Sequence, residues 1–170
     1  TTTSTTNSGA TTLYDSTFYV LSSTRNVYKC LDNNNNAAST VEPSGTSTTI
    51  QLTADGYKWK YMYTLTASMQ AEFLSVDFMA AATDSTVSSA AVDGAINVIK
   101  IKTPGSAGTD GTHASIPIRG DGTGGVCSVT IASGAVTAVT VTTPGTGYTF
   151  AYVRIADINA AGAGSLITSE

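Results

Sequence analysis

Charge is what this sequence has little of. Lys and Arg number 8 and Asp and Glu 12 among 170 residues, so charged side chains make up 12 % of the chain, against roughly 25 % in an average soluble protein. The net charge is −4 and no basic run occurs. A nucleic-acid groove is therefore not expected, because phosphate recognition needs clustered cations. Long apolar runs are missing too, and nothing approaches the length needed to cross a membrane as a helix. There is one histidine. No HExxH pair, nucleophile elbow, CxxC or phosphate loop ending in Lys-Ser or Lys-Thr is present. The opening TTTSTTNSGATTLYD leads into no apolar core, so no signal peptide is expected. The missing initiator Met reads as that of a fragment in preference to a processed chain. Catalysis lacks a constellation. The expectation is a non-enzyme, with no catalytic, cofactor-binding or metal residue assigned.

What is present points to strands. Hydrophobic residues reach 41 %, unlike a disordered chain, and Thr, Ser, Ala and Gly fill most of the remainder. The length suits one large or two small domains with a real core. Cys127, in VCSVTI, is in register with Val129 and Ile131 and should point into a core. Cys30 lies far away in NVYKCLD. Two buried free thiols are expected in preference to a Cys30–Cys127 disulfide.

Four segments follow from a pass along the chain. Residues 1–12 are Thr/Ser-rich without periodicity and read as an extended or disordered arm. Residues 13–83 carry β-type runs at Phe18–Leu21 and Asn26–Leu31, a polar loop containing Pro43 and Gly45, and an Ala54-Asp55-Gly56 turn. Within them, 67–74 suits a turn of helix, and 74–79 a strand equally well. Residues 84–156 lose aromatics until Tyr148, which sets a boundary near Ala82, and 157–170 form a C-terminal segment.

The third segment holds an internal repeat. GAINVIKIKTPGSAGT at 94–109 aligns without gaps on GAVTAVTVTTPGTGYT at 134–149, an offset of 134 − 94 = 40. Each copy reads as a Gly turn, a β-branched strand and a Thr-Pro-Gly turn. Pro104 and Pro144 would pre-set φ at the first central turn position, and Gly105 and Gly145 would supply the positive φ of the second. Ile99, Ile101, Val139 and Val141 share one face. Lys100, Lys102, Thr140 and Thr142 take the wetter one.

Candidate chemistry is sparse. His113, in GTDGTHAS, reads as a solvated loop side chain. GDGTGG at 120–125 has the wrong spacing for a nucleotide loop and reads as a flexible turn. Asp32, Asn34 and Asn36 occupy the first, third and fifth positions of an EF-hand-like loop. Ala37 stands where that loop needs glycine, however, and Pro43 where it needs a bidentate acid, so a solvated Asn-rich turn is expected. Asp55, Glu72, Asp77 and Asp84 are candidates for paired glycosidase carboxylates, but acids beside strands usually face water.

TADGYKWKYMYTL carries the most information. Tyr57, Trp59, Tyr61 and Tyr63 fall on alternate positions and line one side of a strand, opposite Lys58, Lys60 and Met62. Such a row is either a buried sheet face or an exposed platform for a glycan or a protein. With the VYKCLD strand, the Asn/Ser loop and its Pro-Gly segment, and the EFLSVDF stretch, it resembles the baseplate wedge proteins of contractile-tailed, T-even-like bacteriophages. The likeness covers residues 26–80 and is strongest at Asp55-Gly56-Tyr57, Trp59 and Tyr61. TPGTGYT also looks like short β-repeats of many phage structural proteins.

The resemblance implies a non-enzymatic, β-rich protein that dimerises and binds neighbouring wedge subunits. It also implies assembly in the bacterial cytoplasm and residence in the virion. The chain lacks counterparts of the family's N-terminal and C-terminal regions, and 84–156 stands as an insertion or replacement. Taken with the residues, the expected class is all-β, an antiparallel β-sandwich-like domain plus a small inserted β-domain of two similar hairpin units. The expected function is scaffolding in a phage tail or baseplate, without nucleic acid, membrane or cofactor. The rival is a carbohydrate-binding adhesin or glycan-degrading tail component, and the two are separated by whether Trp59 is buried or faces solvent.

Overall fold

The structure, a computed structural model, describes residues 18–167. The arm expected over 1–12 lies outside them. The chain divides into two units, one ending at Ala91 and the other beginning at Val92. In both, strands dominate and every strand pairing is antiparallel, so the protein is of the all-β class.

The first unit is built on one sheet. Strands β1 (Tyr19–Leu21), β2 (Asn26–Asp32), β3 (Gln51–Leu52) and β4 (Lys58–Thr64) lie in the order β1-β2-β4-β3. Alternation decides which side chains go inward. Tyr28, Cys30, Tyr57, Trp59 and Tyr61 form a buried cluster, against which Phe18, Val20 and Val87 pack. Tyr63 departs from the expected row and is only half-buried. Tyr28 pairs with Tyr61 but Val27 pairs with Tyr63, so Met62 is an extra residue on β4. That bulge turns the strand before Tyr63 is reached.

Helix α1 (Ala67–Phe73) starts where Thr66 accepts a hydrogen bond from the Met69 amide, and it buries none of its residues. Residues 74–79 form no strand; a Ser75 N to Phe78 O turn of 2.9 Å occupies them instead. Helix α2 (Ser85–Ala90) is capped by Asp84, whose carboxylate accepts from the Thr86 and Val87 amides. It belongs to this unit, where a boundary near Ala82 would have placed it in the next.

The second unit contains β5 (Ser106–Gly108), β6 (Gly111–Pro117), β7 (Arg119–Gly120), β8 (Thr123–Ala132) and β9 (Ala135–Thr146). After these come β10 (Ala151–Tyr152), α3 (Ile155–Ile158), a π-helical turn over Asn159–Ala163 and β11 (Gly164–Ile167). A three-stranded sheet β6-β8-β9 carries the core, and β7 pairs with β10 and β5 with β11. Ile116, Ile118, Cys127, Val129, Ile131 and Tyr148 are buried together with Ile158, Ala163 and Leu166. Residues 158–166, within the expected C-terminal segment, thus contribute to this core. Cys127 carries a free thiol there, while Cys30 is buried in the first unit's cluster.

The second repeat copy is the β8–β9 hairpin's outgoing strand, reversed at Ser133-Gly134. The first copy is not a hairpin strand. Among the described residues, 95–105 run outside any ladder and no strand equivalent to β8 precedes them. The copies nevertheless match in backbone: Gly94 and Gly134 have φ of 64° and 76°, Gly105 and Gly145 71° and 64°, Ala107 and Gly147 62° and 72°. Pro144-Gly145 does not reverse the chain as expected. It lies inside β9, with Pro144 opposite Gly125.

The copies fasten to each other reciprocally. Ile96 N donates to Pro144 O at 2.9 Å and Val136 N to Pro104 O at 2.8 Å; Tyr148 N donates to Gly94 O at 3.2 Å and Gly108 N to Gly134 O at 2.9 Å. These pairs interchange under the forty-residue offset, so the copies are related by a local two-fold axis.

Candidate functional site

The aromatic strand is a core wall. Trp59 is 1 % exposed and stacks with Tyr57 (centroids 5.4 Å, planes 18°) and with Phe18 (6.1 Å, 27°). Tyr28 meets Tyr61 edge-on at 5.9 Å. Burial pushes the phenols of Tyr28, Tyr57 and Tyr61 above their ordinary range. Their hydroxyls still find partners at the rim: Tyr28 donates to Gly45 O at 2.6 Å and Tyr57 to Ala37 O at 2.6 Å. Sugar stacking on this row is sterically closed.

The loop beside it is held by one carboxylate. Asp55 Oδ2 accepts from Ser39 Oγ (3.0 Å), Thr40 N (2.8 Å) and Val41 N (3.0 Å), while Oδ1 accepts from Thr53 Oγ1 (2.5 Å). The Thr53 hydroxyl, reinforced by the two amides and Ser39, holds Asp55 well below the ordinary carboxylate range. In the Asn-rich turn, Asn34 Nδ2 donates to Asp55 O at 3.0 Å and Asn36 Oδ1 accepts from Asn33 Nδ2 at 2.7 Å. Asp32 Oδ1 accepts from Asn34 N at 3.1 Å, and Asn34, Asn35 and Asn36 all adopt positive φ. Asn is among the few residues that tolerate this. Among the described residues no group of three or more His, Cys, Asp and Glu is placed to hold a metal.

The other candidates disperse. Asp84 is occupied by its helix cap and by the Tyr61 hydroxyl at 3.2 Å, and the Val87 amide bond leads the causes that lower its pKa. Glu72 and Asp77 lie exposed on α1 and in the following turn. No two of Asp55, Glu72, Asp77 and Asp84 share a hydrogen bond, and Asp55 and Asp84 are committed to backbone amides. His113 lies in β6, where a loop was expected, with Nε2 2.9 Å from Thr109 O. In GDGTGG, Thr123–Gly125 begin β8, and Asp121 accepts from Thr149 N (3.0 Å), Phe150 N (3.1 Å) and the Thr149 hydroxyl. Those bonds, the Thr149 hydroxyl foremost, lower its pKa to about 2.

What the first unit does expose is apolar. Phe73 is 58 % exposed and Phe78 75 %, and Val76 between them is fully exposed. Met69, Phe73, Phe78, Met79, Ala80 and Ala81 line a shallow hollow of about 420 Å³. Three large apolar side chains projecting within six residues are uncommon on a surface that faces only water. The sequence contained this signal in EFLSVDFM, but a run of this kind reads equally as a buried strand until its neighbours are known. No family model matches the chain, and no curated protein or solved structure matches it either.

Proposed function

We propose that this chain is a structural component of a bacteriophage tail, at or near the baseplate, and works by protein–protein contact in the virion after assembly in the bacterial cytoplasm. The observation that carries the reading is the inversion of the first unit's apolar surface. Tyr28, Tyr57, Trp59 and Tyr61 are turned inward, while Phe73, Val76 and Phe78 project outward. A platform for sugars would have the opposite arrangement. The likeness of residues 26–80 to baseplate wedge proteins supports the same role, and it adds self-association as a dimer to the contacts with neighbouring subunits.

The test is assembly. Val76→Glu and Phe78→Glu place charges on side chains that support no core, so the isolated chain should keep its fold. Phage carrying these variants should yield fewer complete tails. Normal particle yield from stably folded variants would sink the proposal. So would release of oligosaccharide from host-surface polysaccharide by the purified chain.

A further inference from the structure

We infer that two adjoining hollows on the first unit receive one amphipathic helix of a neighbouring protein, apolar on the face that enters them and carrying Lys or Arg on its margins. The inference names the partner chemistry of the apolar surface described above, and it rests on the assembly reading for that partner's origin.

The methionines carry it. The chain has 3 of them, and all three, Met62, Met69 and Met79, line these hollows. None belongs to either buried core cluster, and each is half-buried at the surface. An unbranched thioether side chain changes rotamer cheaply and fits varied apolar shapes, and methionine is over-used at adaptable binding surfaces for that reason. The first hollow is the one beside Phe73 and Phe78. The second, of about 490 Å³, is lined by Met62 and Tyr63 of β4 and by Val87 of α2. Met79 and Ala81 line both. The hollows are therefore neighbours, and one occupant can place successive side chains in them.

The lining decides the form of the occupant. Both hollows are walled mainly by apolar side chains, which offer nothing to a partner's backbone. A segment seated there must satisfy its own N–H and C=O groups, and a helix does so within itself. Its apolar anchors at i, i+3 or i+4, and i+7 then all face the hollows.

Charge decides its margins. No Lys, Arg or His lines either hollow, and the charged residues between positions 61 and 99 are Glu72, Asp77, Asp84 and Asp93 alone. Glu72 adjoins Phe73, and Asp77 lies between Val76 and Phe78. Both are exposed, and neither joins an ion pair among the described residues. Asp84 is committed to its helix cap, so the charge open to a partner is that of Glu72 and Asp77, and cations complement it. A second copy of this chain does not supply such a helix. Its described α-helices have 7, 6 and 4 residues and contain no Lys or Arg. Laying the same face two-fold on itself would bring acids to acids.

The probe is a fluorescein-labelled, alanine-based peptide of about 16 residues, long enough to be helical alone, with Leu at i, i+4, i+7 and i+11 and Lys on both margins. It is titrated into the full chain by anisotropy, beside one version with Glu for Lys and another with a central Pro. The Lys peptide should bind saturably and about tenfold more tightly than the Glu peptide, the scale of two exposed ion pairs. Glu72→Lys combined with Asp77→Lys should reverse that order. The central Pro breaks the helix and should abolish binding. With the methionine methyls isotope-labelled, all three NMR signals should shift at saturation. Phe78→Ser should weaken the Lys peptide and leave the melting temperature unchanged. No saturable binding, equal binding of the Lys and Glu peptides, undiminished binding with the central Pro, or unmoved methionine signals would overturn the inference. So would methionine signals that move with chain concentration alone, which would make a second copy the occupant. Fewer tails from phage carrying Phe78→Glu, with no peptide binding, would sink this inference and leave the assembly reading standing. Peptide binding by a chain absent from particles would do the reverse.

Discussion

Replacing Trp59 by Ala tests whether the aromatic strand is a core. A buried aromatic removes roughly 150–250 Å² from water, which at about 25 cal/mol per Å² is worth about 4–6 kcal/mol. Two stacked partners, Tyr57 and Phe18, add about 0.5–1.5 kcal/mol each. Against this, the indole Nε1 is buried with no hydrogen-bond partner among the described residues, and removing such a group returns about 1–3 kcal/mol. These terms together span about 2–8 kcal/mol, and the expected loss is the roughly 3–5 kcal/mol typical of emptying a large aromatic site, which lies within that span.

Trp59→Phe isolates the terms. It keeps a stacked ring and discards the unpartnered N–H, so it should cost under about 1.5 kcal/mol, as a volume-tolerant swap does. The assay is urea unfolding followed by near-UV circular dichroism, since tyrosines report the same core when the only tryptophan is gone. The reasoning fails if Trp59→Ala costs less than about 1 kcal/mol, or if Trp59→Phe costs as much as Trp59→Ala.

Acid should loosen both units. Asp55, Asp121 and Asp157 have folded pKa values below the ordinary 3.8, held down chiefly by the Thr53 hydroxyl, the Thr149 hydroxyl and the Arg119 guanidinium respectively. Their contribution is complete above the unfolded value and is lost as pH falls from 3.8 toward about 2, the folded value of Asp121. Asp55→Asn should flatten that acid limb in the first unit, read as the melting temperature against pH. Gly145→Val should destabilise the second unit by more than the roughly 1–3 kcal/mol of a left-handed φ, because its Cβ would also lie 2.6 Å from Gly125 N and Thr123 O. Gly147→Ala, with φ of 72° and open space around it, should cost only the φ term, and equal losses by calorimetry would contradict this. Proteinase K should cut first near 91–93, leaving a fragment in which Trp59 emission stays blue-shifted.

The legible parts of the fold were those fixed by local chemistry. Alternation placed β2 and β4 and the inward faces of Tyr57, Trp59 and Tyr61, and the left-handed glycines Gly105 and Gly145 could be read from Pro-Gly alone. The rest depended on partners distant in sequence. Tyr63 left the row because a bulge at Met62 is set by pairing with β2, which no window around Tyr63 contains. The first copy stayed outside a ladder because the stretch before it holds helix α2, capped by Asp84, where the second copy is preceded by β8, despite the same spacing in both copies. The apolar run around Phe78 was visible, but its exposure was not, since burial is a property of what surrounds a segment.

The reciprocal fastening of the repeats also dictates an order of events. The β8–β9 hairpin closes through a two-residue turn and makes contacts near in sequence, so it can form early. The bonds from Ile96 to Pro144 and from Gly108 to Gly134 require a much longer loop to close and come late. The first copy is therefore the last segment to dock and the first to detach. Every partial opening of the second unit should begin by releasing 94–108 while the hairpin persists, so hydrogen exchange should report the first copy as this unit's most labile part.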